Sequence, residues 1–272
     1  MRRWGTLLGA AITIVAVLLA LVGPAIAPFD PLEQDLLALN GPPGPAHWLG
    51  TDHIGRDVFA RLVSGARTTL AIAVAGTMGA FLVGAVLGSI ALALGRIPER
   101  IVFAGIDLVR AMPAVLLALL MIAAMGAGAV PVAIALALSF APFFALTARA
   151  VYRRETAQPY VAAARTFGGG KLHILRLHLA PNLAGALVTQ AGIVLPRCIV
   201  TESVLSFLGL GSSPDSPTWG RMVSDASPFM EAAPHAILAP VLALVLVTLG
   251  FVLLGDALRL RLDPLRRSGS AR

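Results

Sequence analysis

The sequence predicts an all-α integral membrane protein with six transmembrane helices. Two features of the composition lead to this prediction: 57% of the 272 residues are hydrophobic, and only 13% are charged. Soluble domains usually carry about a quarter charged residues, so most of this chain belongs in a lipid bilayer. The third feature is the length of the apolar runs, since a spanning helix needs about 20 mostly apolar residues.

Six runs meet that length requirement. They cover roughly residues 7–27, 69–94, 101–126, 130–150, 183–206 and 236–256. The third run contains Asp107 and Arg110, which indicates that its apolar core begins near Met112. The fourth contains Pro131 and Pro142, which membrane helices tolerate when neighbouring groups satisfy the freed backbone. The first run also resembles a cleavable signal peptide, but its length favours an uncleaved first helix.

The basic residues predict the orientation of these helices. With the N-terminus inside, cytoplasmic segments hold 16 of the 21 Lys and Arg residues, external segments hold 4, and Arg197 lies within the fifth run. External segments also hold eight of the 14 acids. Because basic loops stay on the cytoplasmic side, this asymmetry predicts that both termini are cytoplasmic. Orientation therefore explains the net charge of +7, and no basic face interleaved with aromatic residues indicates nucleic-acid binding.

The first external segment covers residues 28–67. Gly41-Pro-Pro-Gly-Pro45 predicts a stiff, non-helical stretch. His47 and His53 lie near two aspartates, which makes a metal site conceivable. No further ligand stands at a metal-binding spacing, and the single cysteine adds none, so solvated or hydrogen-bonded histidines are the simpler interpretation. From Val58 the apolar residues recur at helical spacing. Residues 58–67 are predicted either to form an amphipathic surface helix or to extend the second span.

The second external segment, residues 207–235, is rich in Gly and Pro. This composition predicts a folded or re-entrant loop that either lines a translocation path or packs on neighbouring helices. Arg197 and Glu202 lie in and near the end of the fifth span, where ionisable residues usually face a cavity or a partner. Both are candidate contacts for the pathway or another subunit, although a structural pair is the simpler interpretation.

Residues 149–182 carry six basic residues and one acid between two apolar runs. This predicts a cytoplasmic docking element, because the segment is longer and more regularly patterned than a turn. Gly168-Gly-Gly-Lys171 is not a phosphate-binding loop, since Leu172 follows the lysine and no strand precedes it. No catalytic constellation, cofactor site or metal site is predicted. The chain is therefore not expected to be an enzyme, and active transport would need an energy-supplying partner.

Several motifs resemble those of a known family. Tyr160 to Gly168 and His178-Leu-Ala-Pro-Asn182 resemble the EAA coupling loop of binding-protein-dependent ABC importer permeases. Other motifs narrow the resemblance to the second permease subunit of dipeptide, oligopeptide and nickel importers: Leu49 to Asp57, Glu202 to Gly211, Pro217 to Gly220, Gly255 to Arg259 and Leu262-Asp-Pro264. The resemblance implies the fold of a type I ABC importer permease with a cytoplasmic-membrane location.

The resemblance also implies site residues. The family's coupling helix sits in a groove of the ATPase, and the matching positions here are Tyr160, Ala163, Ala164, Arg165 and Gly168. The departures are Ala162, where the family motif has glutamate, and Ala180, where leucine is usual. We expect small side chains to permit close approach and Gly168 to end the helix with a positive φ.

The implied assembly is a heterodimer with a homologous permease, two cytoplasmic ABC ATPases and an extracytoplasmic solute-binding protein. The expected function is ATP-driven peptide import, with nickel or metal-chelate import as the alternative. A non-transporting scaffold or a proton-coupled carrier fits less well, because the spans hold few acids. The expected units are an N-terminal span with its external segment (1–67), a permease domain (68–260) with its coupling loop at 152–182, and a cytoplasmic tail (261–272).

Overall fold

The computed structural model describes residues 2–211 and 216–262, so all but the first two residues of the predicted tail (261–272) lie outside the described residues. Within the described residues the fold is helical, and the only β-bridge joins Thr51 and Asp57. The ten helices are α1 (Arg2–Ile26), α2 (Val58–Leu94), α3 (Arg96–Ala111), α4 (Ala114–Met125), α5 (Ala129–Thr156), α6 (Pro159–Thr166), α7 (Lys171–Ile174), α8 (Ala180–Phe207), α9 (Trp219–Ala226) and α10 (Pro234–Leu262). A π-helical turn at Leu175–Leu179 joins α7 to α8.

Five helices are long and apolar enough to cross a membrane: α1, α2, α5, α8 and α10. The all-α membrane fold is confirmed, and counting the bent pair α3 and α4 as one span gives the six crossings that the sequence predicts. The prediction of one continuous helix over 101–126 was wrong, because α3 and α4 meet at an angle of 97°. Pro113 causes this break: it forces Met112 into an extended conformation (φ −90°, ψ 134°), which ends α3.

Helix α2 settles the two interpretations of residues 58–67. Asp57 caps the helix by accepting a hydrogen bond from the Ala60 amide at 2.7 Å, and the helix continues for 37 residues. Its first turns are buried, with Val58 and Val63 only 1% and 2% exposed. The surface-helix interpretation is therefore wrong, and residues 58–67 are a continuous extension of the second span.

The core forms where α2 packs along α5. Glycines on α2 face α5 so closely that a Cβ at Gly84 would lie 2.1 Å from the Ala141 carbonyl oxygen. A Cβ at Gly88 would lie 3.0 Å from the Cα of Ala145. Small residues let membrane helices approach closely and gain van der Waals contact. Phe144 on α5 is fully buried beside this seam and meets Phe81 edge-on at 5.7 Å.

The second external segment folds over the outer end of α2. Its helix α9 inserts Trp219, which is 3% exposed and donates a hydrogen bond from Nε1 to the Leu62 carbonyl at 2.9 Å. A Cβ at Gly220 would lie 2.1 Å from the Ser203 carbonyl oxygen, so α9 also rests directly on α8. For the described residues of 207–235, the structure shows packing on neighbouring helices.

Candidate functional site

The predicted coupling segment contains the short helix α6, which follows the C-terminal end of α5. Val161 is fully buried and anchors α6 against the helix bundle. Tyr160 donates a hydrogen bond to the Glu155 carboxylate at 2.8 Å, and Asn182 donates to the Tyr160 hydroxyl at 3.2 Å. Glu155 is 8% exposed and is also paired with Arg154 at 2.8 Å. These contacts join the end of α5, the start of α6 and the start of α8.

The Tyr160 hydroxyl is held in its protonated, donating form. Burial raises the pKa of Tyr160, and the hydrogen bond to the negatively charged Glu155 raises it further. Sequence reasoning identified Tyr160 but missed Glu155 and Asn182 as its partners. The sequence does contain one indication of a role for Glu155, since it is the one acid in the strongly basic segment 149–182.

Helix α6 ends as predicted at Gly168. The φ angle of Gly168 is +85°, and the Gly169 amide donates a hydrogen bond to the Ala164 carbonyl at 2.9 Å. This six-residue bond around a left-handed glycine is a Schellman ending, which satisfies carbonyls at the end of a helix. A Cβ at Gly168 would meet nothing within 4 Å. Backbone conformation, and not space, therefore requires glycine here.

The outer face of α6 is small and apolar. Ala162 and Ala163 are exposed, Ala164 is half-buried, and Phe167 at the end of the helix is 89% exposed. Arg165 lies in α6, but its side chain is outside the described residues. Sequence reasoning selected the alanines and missed Phe167, although a large aromatic residue beside the glycine was visible in the motif. The small side chains of this face allow another surface to approach α6 closely, and the Phe167 ring protrudes from it.

A network of ion pairs joins the two segments that are predicted to be external. Arg56 pairs with Asp52 at 2.8 Å and with Asp225 at 3.1 Å. Arg61 pairs with the same two acids, at 3.0 Å for Asp225. Burial alone would raise the pKa of Asp52, but the Arg56 amide hydrogen bond and both arginine charges outweigh it and lower the pKa. The network fixes the first external segment, α2 and α9 together.

The two external histidines are engaged in this fold. His47 Nδ1 lies 2.8 Å from Asp57, the residue that caps α2. His53 stacks on Phe229 with ring centroids 4.6 Å apart. Over residues 2–211 and 216–262, no group of three or more potential metal ligands comes together. The histidines therefore hold the external segments in place in this structure.

Arg197 and Glu202 do not contact each other, in keeping with their separation of five residues, which is off the i,i+3/i+4 spacing for a pair on one helix. Glu202 is completely buried and accepts a hydrogen bond from Ser206 at 2.6 Å. Arg197 is exposed on the other side of α8, with its guanidinium 5.3 Å from the ring centroid of Phe143. At 100° per residue, five positions place the two side chains about 140° apart around the helix. This angle follows from the two sequence positions alone, once the segment is predicted to be helical.

Three comparisons with known proteins agree with this architecture. Residues 80–268 match the family described as binding-protein-dependent transport system inner membrane component, and residues 1–43 match the N-terminal transmembrane domain of oligopeptide transport permease C. The chain resembles a chain of the MetNI methionine ABC transporter, solved in an inward-facing conformation. The TM-score is 0.62 over 75% of this chain and 96% of that one, at 21% identity, which supports the fold alone.

Curated relatives match almost the full chain. The glutathione transport system permease protein GsiD of Pectobacterium atrosepticum is 35% identical, over 97% of this chain and 91% of that protein. The di/tripeptide transport system permease protein DppC of Pseudomonas aeruginosa is 35% identical, over 96% and 88%. The dipeptide transport system permease protein DppC of Alkalihalophilus pseudofirmus is 32% identical, over 96% and 86%. The chain therefore belongs to the binding-protein-dependent inner-membrane permeases of ABC importers.

Proposed function

We propose that this chain is the second permease subunit of an importer that carries dipeptides or oligopeptides into the cell. In this proposal it pairs with a homologous permease, and two ABC ATPases and an extracytoplasmic binding protein complete the complex. The observation that carries the coupling assignment is helix α6, which is exposed on its outer face and tied to both α5 and α8. Relatives named for peptides and glutathione favour a peptide solute over nickel.

The proposed coupling contact is a close fit between α6 and a groove on the ATPase. Tyr160 positions the helix, Ala163 and Ala164 allow close approach, Arg165 meets an acidic rim, and Gly168 ends the helix. ATP binding would draw the ATPases together and carry α6 with them, so that the pathway opens outward. Such a change is a two-state equilibrium that ATP biases by binding one state more tightly.

The proposal also fixes domain boundaries and orientation. Residues 1–67 form the first span and the external segment, residues 68–260 the permease domain, and residues 261–272 a cytoplasmic tail. Both termini then face the cytoplasm. Support for this orientation comes from the charge asymmetry of the loops and from the position of α6 at the end of α5 that carries Arg149, Arg153 and Arg154.

We expect the purified chain to show no ATP hydrolysis, because it has no phosphate-binding loop. The complete complex in proteoliposomes, with loaded binding protein outside, should hydrolyse ATP and accumulate a radiolabelled dipeptide. Leaving out this chain, leaving out ATP, and offering nickel in place of peptide are the controls. Accumulation of nickel without accumulation of peptide would contradict the proposed solute. ATP hydrolysis by the isolated chain would contradict the proposal that the partner subunits hydrolyse ATP.

Orientation is tested by labelling single cysteines in a Cys198→Ala background. Leu37 is 99% exposed in the first external segment, and Phe167 is 89% exposed beside Gly168. In intact cells a membrane-impermeant maleimide should label Leu37→Cys and leave Phe167→Cys unlabelled until the cells are opened. The cells express this chain without its proposed ATPase partners, so that both positions are open to reagent and membrane sidedness decides the result. Labelling of Phe167→Cys in intact cells would refute the orientation.

A further inference from the structure

Arg197 is a charged residue on an exposed face of a spanning helix. It lies 10 residues before Phe207, which places it about 15 Å along α8 from the external end. Val200 and Val204, which share this face, are exposed as well. A guanidinium is costly against hydrocarbon, so ionisable residues within spans face a bundle interior or a water-filled cavity. The exposed face around Arg197 is therefore not a lipid-facing surface.

No acid neutralises Arg197 within the part of the chain that the structure describes. Glu202 is the nearest acid along α8, but it points about 140° away and its carboxylate is bonded to Ser206 at 2.6 Å. The aromatic face of Phe143 is the contact recorded for the Arg197 guanidinium, at 5.3 Å. An aromatic face positions a guanidinium through cation–π attraction without cancelling its charge. Arg197 therefore retains capacity for an anion.

A polar line continues from Arg197 along the seam between α8 and α5. Gln190 lies two turns before Arg197 on the same face of α8, and its Oε1 accepts a hydrogen bond from Thr147 of α5 at 3.3 Å. Thr147 lies one turn after Phe143. The seam thus places an uncompensated cation and two further polar side chains in order along the spans. A polar line of this kind is suited to contact with a solute that crosses the membrane, whereas lipid would favour an apolar surface.

We propose that Arg197 binds the C-terminal carboxylate of the peptide during its passage between the two permease subunits. This inference rests on the proposed function and names the chemistry that the pathway recognises. A carboxylate that leaves water loses its hydration, and a bidentate guanidinium replaces it with two charge-assisted hydrogen bonds. Arg197 would lower the barrier for peptides with a free carboxylate and would give no such charge-assisted stabilisation to a peptide whose carboxylate is replaced by a neutral amide.

The test compares alanyl-phenylalanine with its C-terminal amide. Uptake is measured with the complete complex in proteoliposomes, each peptide at a concentration that saturates the binding protein, so that affinity for that protein does not contribute. The variants are Arg197→Gln, Arg197→Lys and the control Arg67→Gln. Arg67 is also an exposed arginine, near the external end of α2, and the control removes the same charge away from the seam.

Arg197→Gln should lower uptake of the free-carboxylate peptide at least about tenfold, the loss expected for a charged hydrogen bond. Uptake of the amide should stay within about twofold of wild type or rise. Arg197→Lys, which keeps the charge but loses the bidentate geometry, should fall between wild type and Arg197→Gln for the free-carboxylate peptide alone. Arg67→Gln should affect neither peptide.

Equal loss for both peptides would overturn the inference and would place Arg197 in a contact with the second permease. No loss for either peptide would overturn it too. If Arg197→Gln fails to assemble with the other subunits, the selectivity of Arg197→Lys decides the question by the same criteria. The proposed function fails separately, in the case where the wild-type complex accumulates neither peptide while it transports another solute.

Discussion

Replacing Gly168 by valine is expected to abolish uptake while the protein still inserts into the membrane. The φ of +85° at this residue is a conformation that a β-branched residue adopts only with strain. Relieving that strain breaks the bond from the Gly169 amide to the Ala164 carbonyl and frays the end of α6. The exposed Phe167 ring would then move, so that α6 no longer matches the ATPase groove. No spanning helix is touched.

The neighbouring Gly170 provides a matched control for this variant. A Cβ at Gly170 also meets nothing within 4 Å, and its φ is not positive. Gly170→Val should therefore bind the ATPase and transport much like wild type, and Gly168→Ala should fall between the two valine variants. The measurements are membrane abundance, ATPase pull-down and peptide uptake. Normal pull-down and normal uptake for Gly168→Val would show that α6 is not the docking element.

Replacing Gly84 by alanine should destabilise the helix bundle itself. The added Cβ would lie 2.1 Å from the Ala141 carbonyl oxygen and 2.9 Å from the Cβ of Phe144. Because a backbone oxygen cannot rotate away, α2 and α5 must separate along their whole seam. Overpacking of this kind typically costs about 1–3 kcal/mol, and here it also weakens neighbouring contacts.

Thermal unfolding of the detergent-solubilised protein measures this effect, with Gly185→Ala as its control. A Cβ at Gly185 meets nothing within 4 Å, and alanine favours a helix by up to about 1 kcal/mol over glycine. We expect Gly84→Ala to unfold at a clearly lower temperature than wild type and Gly185→Ala at the same or a higher one. Equal unfolding temperatures for the two variants would mean that α2 and α5 are not closely packed.

The sequence was sufficient for features that depend on neighbouring residues. Hydropathy located six crossings, because burial in lipid depends on the summed character of about 20 residues. Gly168 was recognisable because it follows a helical stretch and glycine is the residue that tolerates a positive φ. Hydropathy does not record direction, however, and so it joined α3 and α4 across the break at Pro113.

Contacts between residues that are far apart in the chain could not be predicted from the sequence. Arg56 and Asp225 are 169 positions apart, and only the packing of α9 over the outer end of α2 brings them together. The Glu155 contact with Asn182 likewise depends on the return of the chain through α6 and α7. Arg197 and Glu202 are different, because their separation around α8 follows from helix geometry.

The bonds from α6 to both α5 and α8 have a mechanical consequence. Helix α5 has 28 residues and is about 42 Å long, so a tilt of ~10° about its outer end displaces its inner end by about 7 Å. Helix α8 has the same number of residues and therefore the same reach. A force on α6 would be passed to both helices, because Tyr160 of α6 is hydrogen-bonded to Glu155 of α5 and to Asn182 of α8. In the proposed coupling, a movement of a few ångströms at α6 would become a change of angle along the seam between α5 and α8.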